Sequence, residues 1–332
     1  MNGYKLNKKI KFIAEIASSH NGSKKNFLKI VNFLVNSRVD IIKIQVFTAN
    51  GLAHPSYKFY KILKKIHLNF KLIEKSVKII LKKKKEVILE PFDEESYFFC
   101  KKFKDKVFIK ISSSEMDNKI IFKDALYNFR KIFVSIAGNS EKEIKKLLKI
   151  NSKYKKKIVP TYGFQSFPTD YKNLRLLIIK KIKKLTKNIC YADHTSSNSL
   201  VLNLLTISKS INCGANYIEK HITLDRFKNY PDSDSSLDLN QFNEMLKFFT
   251  IIIPVKSKLS STEKKYSIGM KKYAVILKNV KKNSNISKED IRFLRTNLEG
   301  IDKYNFGKLK SIIAKKDLKK NEILQKKFFY QK

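Results

Sequence analysis

Short runs of β-branched and aromatic residues recur along the chain, and each is followed by a stretch whose apolar residues return with helical spacing. Successive runs lie roughly 20 to 45 residues apart, a distance that leaves room for one helix and two turns. Nearly continuous apolar strands separated by amphipathic helices are the pattern of a parallel sheet covered by helices. Eight such strands are read: Lys11 to Ala17, Ile41 to Phe47, Val87 to Phe92, Val107 to Ser112, Ile132 to Ala137, Ile158 to Phe164, Ile189 to His194 and Tyr217 to Thr223. Eight repeats, with no glycine-rich dinucleotide fingerprint after the first, predict an α/β fold of the (β/α)₈ TIM-barrel type rather than an open doubly wound sheet.

The barrel is expected to occupy residues 1–254. Residues 255–271 lack apolar periodicity and read as a linker. From 272 to 332, strand-like runs (Tyr273 to Leu277, Ile291 to Leu294, Ser311 to Ala314) alternate with polar turns such as Lys281 to Asn285 and Asp317 to Asn321. This is the pattern of a small, mostly β domain with a marginal core, which would gain from docking onto the barrel or another subunit.

In this architecture catalytic groups project from the C-terminal ends of the strands. Polar residues gather there. Glu15 precedes Ser18, Ser19 and His20; Lys43 and Gln45 share one face of the second strand; Glu90 and Asp93 end the third. Lys110 leads into Ser112, Ser113, Ser114 and Glu115; Ser135 precedes Gly138; and Gln165 and Ser166 follow strand six. Asp193 and His194 close strand seven, and Glu219, Lys220 and His221 lie on strand eight. A lone buried histidine is more often structural than a ligand, and a lone buried lysine pairs with a carboxylate. Two histidines on adjacent strands, with Lys43 and Lys110 inside a barrel that normally excludes charge, point to a catalytic centre. Two imidazoles with carboxylates or water suit Mn²⁺, Zn²⁺ or Fe²⁺, and buried lysines beside serine hydroxyls suit an anionic substrate.

Composition changes this picture little. The chain has 332 residues, 42% of them hydrophobic, enough to build a sizeable core. A net charge of +42 would ordinarily suggest nucleic acid, but only six of the 71 basic residues are arginine. Lysine is the poorer residue for bidentate recognition, and the richness in Ile, Asn, Phe and Tyr points to an AT-rich genome as the source of the charge. Lys82 to Lys85 and Lys155 to Lys157 read as solvated surface, so no specific nucleic acid is expected. Three well-separated cysteines suggest neither a disulfide framework nor a cysteine-based zinc site. With no signal-peptide pattern and no membrane-length apolar run, a cytoplasmic protein without membrane attachment is expected.

The strand-end segments resemble the sialic acid synthase family, the bacterial N-acetylneuraminate, legionaminate and pseudaminate synthases. The resemblance is carried by Ile13-Ala-Glu-Ile-Ala-Ser-Ser-His-Asn-Gly22, Ile42-Lys-Ile-Gln45, Glu90-Pro-Phe92, Ile109-Lys-Ile-Ser-Ser-Ser-Glu115 and Val134-Ser-Ile-Ala-Gly138. It continues through Phe167-Pro-Thr169, Tyr191-Ala-Asp-His-Thr195, Ile218-Glu-Lys-His-Ile-Thr223 and Pro231-Asp232. The tail from Lys272 resembles the family's antifreeze-like (SAF) domain.

The resemblance implies a metal-dependent condensation of phosphoenolpyruvate with the open-chain aldehyde of an N-acylated amino sugar, either N-acetylmannosamine or a 6-deoxy diamino analogue. The products would be a nine-carbon 2-keto acid and phosphate. It implies that His194 and His221 hold a divalent metal, Mn²⁺ with Mg²⁺ or Co²⁺ as alternatives. Lys43, Lys110, Ser113, Ser135 and Gln165 would hold phosphoenolpyruvate. Glu115 and Glu15 would be catalytic, Glu115 in proton transfer, and Gln45, Asp232 and Arg295 would contact the sugar. Arg295 would reach the partner's site across a homodimer. The chain departs from the family at Ala192, where serine is common, and Gln165 or Ser166 would compensate as a phosphate donor. His20 is read equally as a substrate contact and as a loop-structuring residue. The alternatives are a non-catalytic barrel that binds acidic sugars or polyanions, and a phosphoenolpyruvate-using barrel synthase for a different aldehyde sugar.

Overall fold

The computed structural model describes residues 10–164, 166–228, 230–252 and 259–331, in two compact units, Met1–Pro254 and Val255–Lys332. In the first unit eight strands run parallel in chain order: β1 (Lys11–Glu15), β2 (Ile41–Val46), β3 (Glu86–Pro91), β4 (Phe108–Ile111), β5 (Ile132–Ser135), β6 (Ile158–Tyr162), β7 (Cys190–Asp193) and β8 (Tyr217–Thr223). β8 pairs back onto β1, with Ile13 opposite Glu219 and Glu15 opposite His221, so the sheet closes into a (β/α)₈ barrel. A two-residue strand, β9 (Leu237–Asp238), adds to the end of β8.

Closure follows from alternation. Inward-facing Ile13, Ile41, Ile88, Phe108, Phe133, Val159, Cys190 and Tyr217, one from each strand, form a buried floor. Their outward neighbours pack on the helices in a second, larger core. The helix Lys24–Asn36 shows why: Phe27, Ile30, Val31 and Leu34 lie on one face and are buried, and Ser23 caps its start by accepting from the amide of Asn26. Each such buried side chain contributes roughly 1.5–3 kcal/mol. Several strands stop one or two residues before the sequence-read ends. Beyond β1, Ala17 sits at φ 40° and Asn21 at φ 50°, turning the chain into a loop over the barrel mouth.

In the second unit, β10 (Lys272–Ile276) pairs antiparallel with β11 (Ile291–Arg295), and β12 (Ile312–Ala314) with β13 (Phe329–Gln331). They enclose a core that includes Ala274, Ile276, Ile291, Ile312 and Leu324. One reading needs correction. Within the stretch taken as a linker, Ser261–Met270 is a helix, started by a capping box in which Ser260 and Glu263 satisfy each other's backbone amides. None of its residues is buried, so it has no apolar stripe to betray it. No described helix is long and apolar enough to cross a membrane.

Candidate active site

Two residues above the floor, the same inward positions turn polar. Glu15, Lys43, Glu90, Lys110, Ser135 and Glu219 stand in register over Ile13, Ile41, Ile88, Phe108, Phe133 and Tyr217. A further step up are Gln45, Ser112, His194 and His221. A cavity of about 260 Å³ opens over these residues, all of which line it except the deeper Glu219, together with Ser113, Ser114, Phe92 and Phe167.

The lysines are not free charges. The Lys43 ammonium touches the Glu15 carboxyl and lies 2.7 Å from Glu90 and 2.9 Å from Glu219. Lys110 lies 2.7 Å from Glu219 and 3.5 Å from Glu90. Burial pushes the Glu15 carboxyl well above the usual carboxylate range against the pull of Lys43, and the charge of Glu219 adds to the rise. Burial also opposes the charge of Glu219, but Lys110 and Lys43 outweigh it and hold that carboxyl well below the usual range. For Lys43 and Lys110, burial favours the neutral amine, yet the surrounding carboxylates prevail and both stay protonated. Lys43 and Lys110 thus stand in one buried network with the carboxyls of Glu15, Glu90 and Glu219. Gln45 fixes Glu15 from above, its Nε2 donating to Oε1 at 2.8 Å.

The two imidazoles meet at the rim with ring centroids 5.1 Å apart. His194 Nδ1 is 2.8 Å from the carbonyl of Phe164; a carbonyl only accepts, so Nδ1 carries the proton and Nε2 keeps a lone pair. Burial lowers His194 to about 4 and His221 well below its ordinary value, the latter helped by His194 and Lys43, so both rings are neutral. Among the described residues His221 Nδ1 is buried without a hydrogen-bond partner, and His221 Nε2 lies 3.8 Å from Glu15 Oε2. Phe167 covers both rings, 4.5 Å from His194 and 5.7 Å from His221. Among the described residues no three His, Cys, Asp or Glu side chains form a metal-binding cluster. Two neutral imidazoles, one with an unsatisfied nitrogen, fit a divalent ion that takes its other ligands from water or substrate.

The remaining sequence-read residues divide. Ser113 and Ser135 bond each other at 2.8 Å and line the cavity, as Lys43, Lys110, Glu15 and Gln45 do. Glu115 does not. It lies on the turn Ser113–Glu115, accepts from Asn118 at 3.1 Å, and faces an adjoining hollow of about 380 Å³ with Asp93, Glu94 and Glu95. Asp232 holds a left-handed φ of 66° and is not among the cavity-lining residues; burial raises its carboxyl while the backbone of Ser18 opposes the rise. Arg295 ends β11 in the second unit with its side chain exposed. Gln165 lies outside the described residues.

Ser166, the other residue expected to compensate for Ala192, donates its hydroxyl to the Pro168 carbonyl at 3.2 Å and is not among the cavity-lining residues. A Cβ at Gly163 would come within 2.5 Å of the Ala192 carbonyl, so strands six and seven need glycine at that position. His20 is a loop-structuring residue: its Nδ1 accepts from the Gly22 amide at 3.1 Å, and its ring meets Phe27 edge-on.

Glu90 and Glu219 were noticed at strand ends without a role. Two ammoniums inside a barrel demand neutralising carboxylates, and that demand was the signal for them. For Phe167 the signal was its place in the Phe167-Pro-Thr169 segment that carries the family resemblance.

Residues 30–257 match the NeuB family. The chain is 26% identical to the N,N'-diacetyllegionaminic acid synthase of Campylobacter jejuni, covering 95% of this chain and 88% of the relative. It is also 26% identical to a pseudaminic acid synthase of the same species, covering 97% of each. Among solved structures, the spore coat polysaccharide biosynthesis protein E of Chromobacterium violaceum superimposes with a TM-score of 0.76 at 18% identity, over 97% of this chain and 100% of the other. That likeness is one of fold.

Proposed function

Because the chain belongs to the NeuB family, we propose that it is a metal-dependent synthase. It joins phosphoenolpyruvate to the open-chain aldehyde of an N-acylated amino sugar and releases phosphate and a nine-carbon 2-keto acid. The synthase names of its two Campylobacter relatives support sugar-acid synthesis. The observation that carries the reading is the stacking of two protonated lysines and four serine hydroxyls beneath two neutral imidazoles in one cavity.

In this reading Lys110 and Lys43 supply positive charge to the carboxylate and phosphate of phosphoenolpyruvate, and Ser113 and Ser135 supply directional donors. Lys110 is the more accessible of the two, 6% exposed against 1% for Lys43. His194 and His221 hold Mn²⁺, which when bound supplies a Lewis acid for the aldehyde. Carbon 3 of the enol attacks the aldehyde carbon, and the aldehyde oxygen takes up a proton. Glu15, protonated and next to His221, is the acid placed to give it. Glu115, outside the cavity, is not assigned that step. Positive charge developing at carbon 2 is met by Glu90, which lines the cavity; water adds there and returns a proton to the Glu15 carboxylate, and the carbon 2 hydroxyl becomes the ketone as its proton leaves with the departing phosphate. The second unit is read as an SAF domain whose Arg295 contacts the acyl group of a substrate in a homodimer, and Asp232 and Gln45 are read on the sugar side.

The test is a panel of N-acetylmannosamine and 6-deoxy diamino analogues, followed by phosphate release from phosphoenolpyruvate with Mn²⁺. Turnover with one or more of them is expected; no turnover with any contradicts the reading.

A further inference from the structure

The outward faces of the barrel strands are apolar where they meet the helices, with one exception. Ile44, Leu89, Ile109 and Val134 belong to the core between sheet and helices. On β7 and β8 the corresponding positions are Asp193 and Lys220, register partners that are both fully buried. Among the described residues of the eight strands they are the charged residues on that face. A buried ion pair gives no more stability than a well-packed apolar pair, so stability does not account for it.

Its connections do. The Lys220 ammonium donates to Asp193 Oδ2 at 2.9 Å and to the Thr195 carbonyl at 3.1 Å, gripping the chain on both sides of His194. Asp193 Oδ1 accepts from the Tyr191 hydroxyl at 3.0 Å and from the Thr195 amide and hydroxyl at 3.2 and 2.8 Å. The His194 carbonyl is fixed in turn by the Thr169 amide at 2.7 Å and the Ser235 hydroxyl at 3.0 Å. Lys220 itself directly precedes His221. One ammonium therefore ties the backbone that carries one imidazole to the backbone that carries the other.

We infer that the Lys220–Asp193 pair is a positioning device that sets the separation of the His194 and His221 rings and thereby the affinity for a divalent ion. The inference rests on the reading that these rings hold the ion. Groups that orient metal ligands from behind typically change affinity by roughly 10–100-fold when removed.

The test is Mn²⁺ binding to the full chain by titration calorimetry, with thermal unfolding measured in parallel. Asp193→Asn/Lys220→Met removes both charges and leaves neither one buried alone; it is expected to remain folded and to bind Mn²⁺ roughly 10–100-fold more weakly. Ile80→Ala, a cavity in the helix Phe70–Lys82, is expected to lower the unfolding temperature and leave Mn²⁺ affinity unchanged. Wild-type affinity in the double variant, or equal weakening in Ile80→Ala, overturns the inference. If the double variant does not fold, Thr195→Val decides: it deletes one bond to Asp193 and no ring contact, so weaker binding supports the device and unchanged binding refutes it. His194→Ala separates the metal site from the positioning device. If that variant binds Mn²⁺ as tightly as wild type, the metal assignment fails; if it loses binding while the double variant does not, only the positioning role fails.

Discussion

Glu15 and His221 are register partners across the seam that closes the barrel, and Glu15 Oε2 stands 3.8 Å from His221 Nε2. The seam thus joins the buried acid to one of the two imidazoles. Replacing Glu15 by Gln keeps an amide of the same shape and removes the acidic proton. The expected result is a fall in kcat of roughly 10²–10⁴-fold with the KM for phosphoenolpyruvate little changed, read by steady-state kinetics. An unchanged kcat would remove Glu15 from proton transfer.

Metal removal should affect both activity and stability. Chelation is expected to abolish phosphate release, and Mn²⁺ to restore it. An ion that binds only the folded chain adds about 2.7 kcal/mol at a hundredfold excess over its dissociation constant, so the unfolding temperature should also drop on chelation. In His194→Ala and His221→Ala that Mn²⁺-dependent rise in unfolding temperature should be absent.

Lys43 and Lys110 should separate stability from binding. Lys43 contacts three carboxyls and is more deeply buried, so Lys43→Met leaves several acids uncompensated and should cost about 3–5 kcal/mol in denaturant unfolding. Lys110→Met should cost less and should lose phosphoenolpyruvate binding in titration calorimetry. The reverse order of destabilisation would contradict the assignment.

His20 gives a pH dependence outside the cavity. Burial lowers it from 6.5 to about 4, so between those values the unfolded chain binds a proton that the folded chain refuses. Its effect on stability is nil above pH 6.5 and destabilising as pH falls toward 4, reaching about 3 kcal/mol. His20→Asn can still accept from Gly22 without titrating. Chemical denaturation across this range should show a shallower acid slope in the variant, and an identical slope would place the titration elsewhere.

The barrel was legible because its alternation is local: inward and outward residues differ by one position, and eight strands repeat the pattern. His194 and His221 were legible because each stands at or near the C-terminal end of a strand, beside other polar residues. The charge network was not, because Lys43 and Glu219 are 176 residues apart and nothing local records that they meet. Glu115 follows Lys110 closely in sequence, but the turn Ser113–Glu115 places it at the neighbouring hollow, a displacement that spacing alone does not record. The helix Ser261–Met270 was hidden by its lack of a buried face, and only the Ser260 and Glu263 capping box marked it.

The most direct test of the central claim is phosphorus NMR of the full chain with phosphoenolpyruvate and Mn²⁺, recorded with and without an N-acylated amino-sugar aldehyde, together with mass spectrometry of the products. The account predicts inorganic phosphate only when the aldehyde is present, and with it a nine-carbon 2-keto acid in equal amount. Phosphate release without the aldehyde, or no release with any aldehyde in the series, would contradict it.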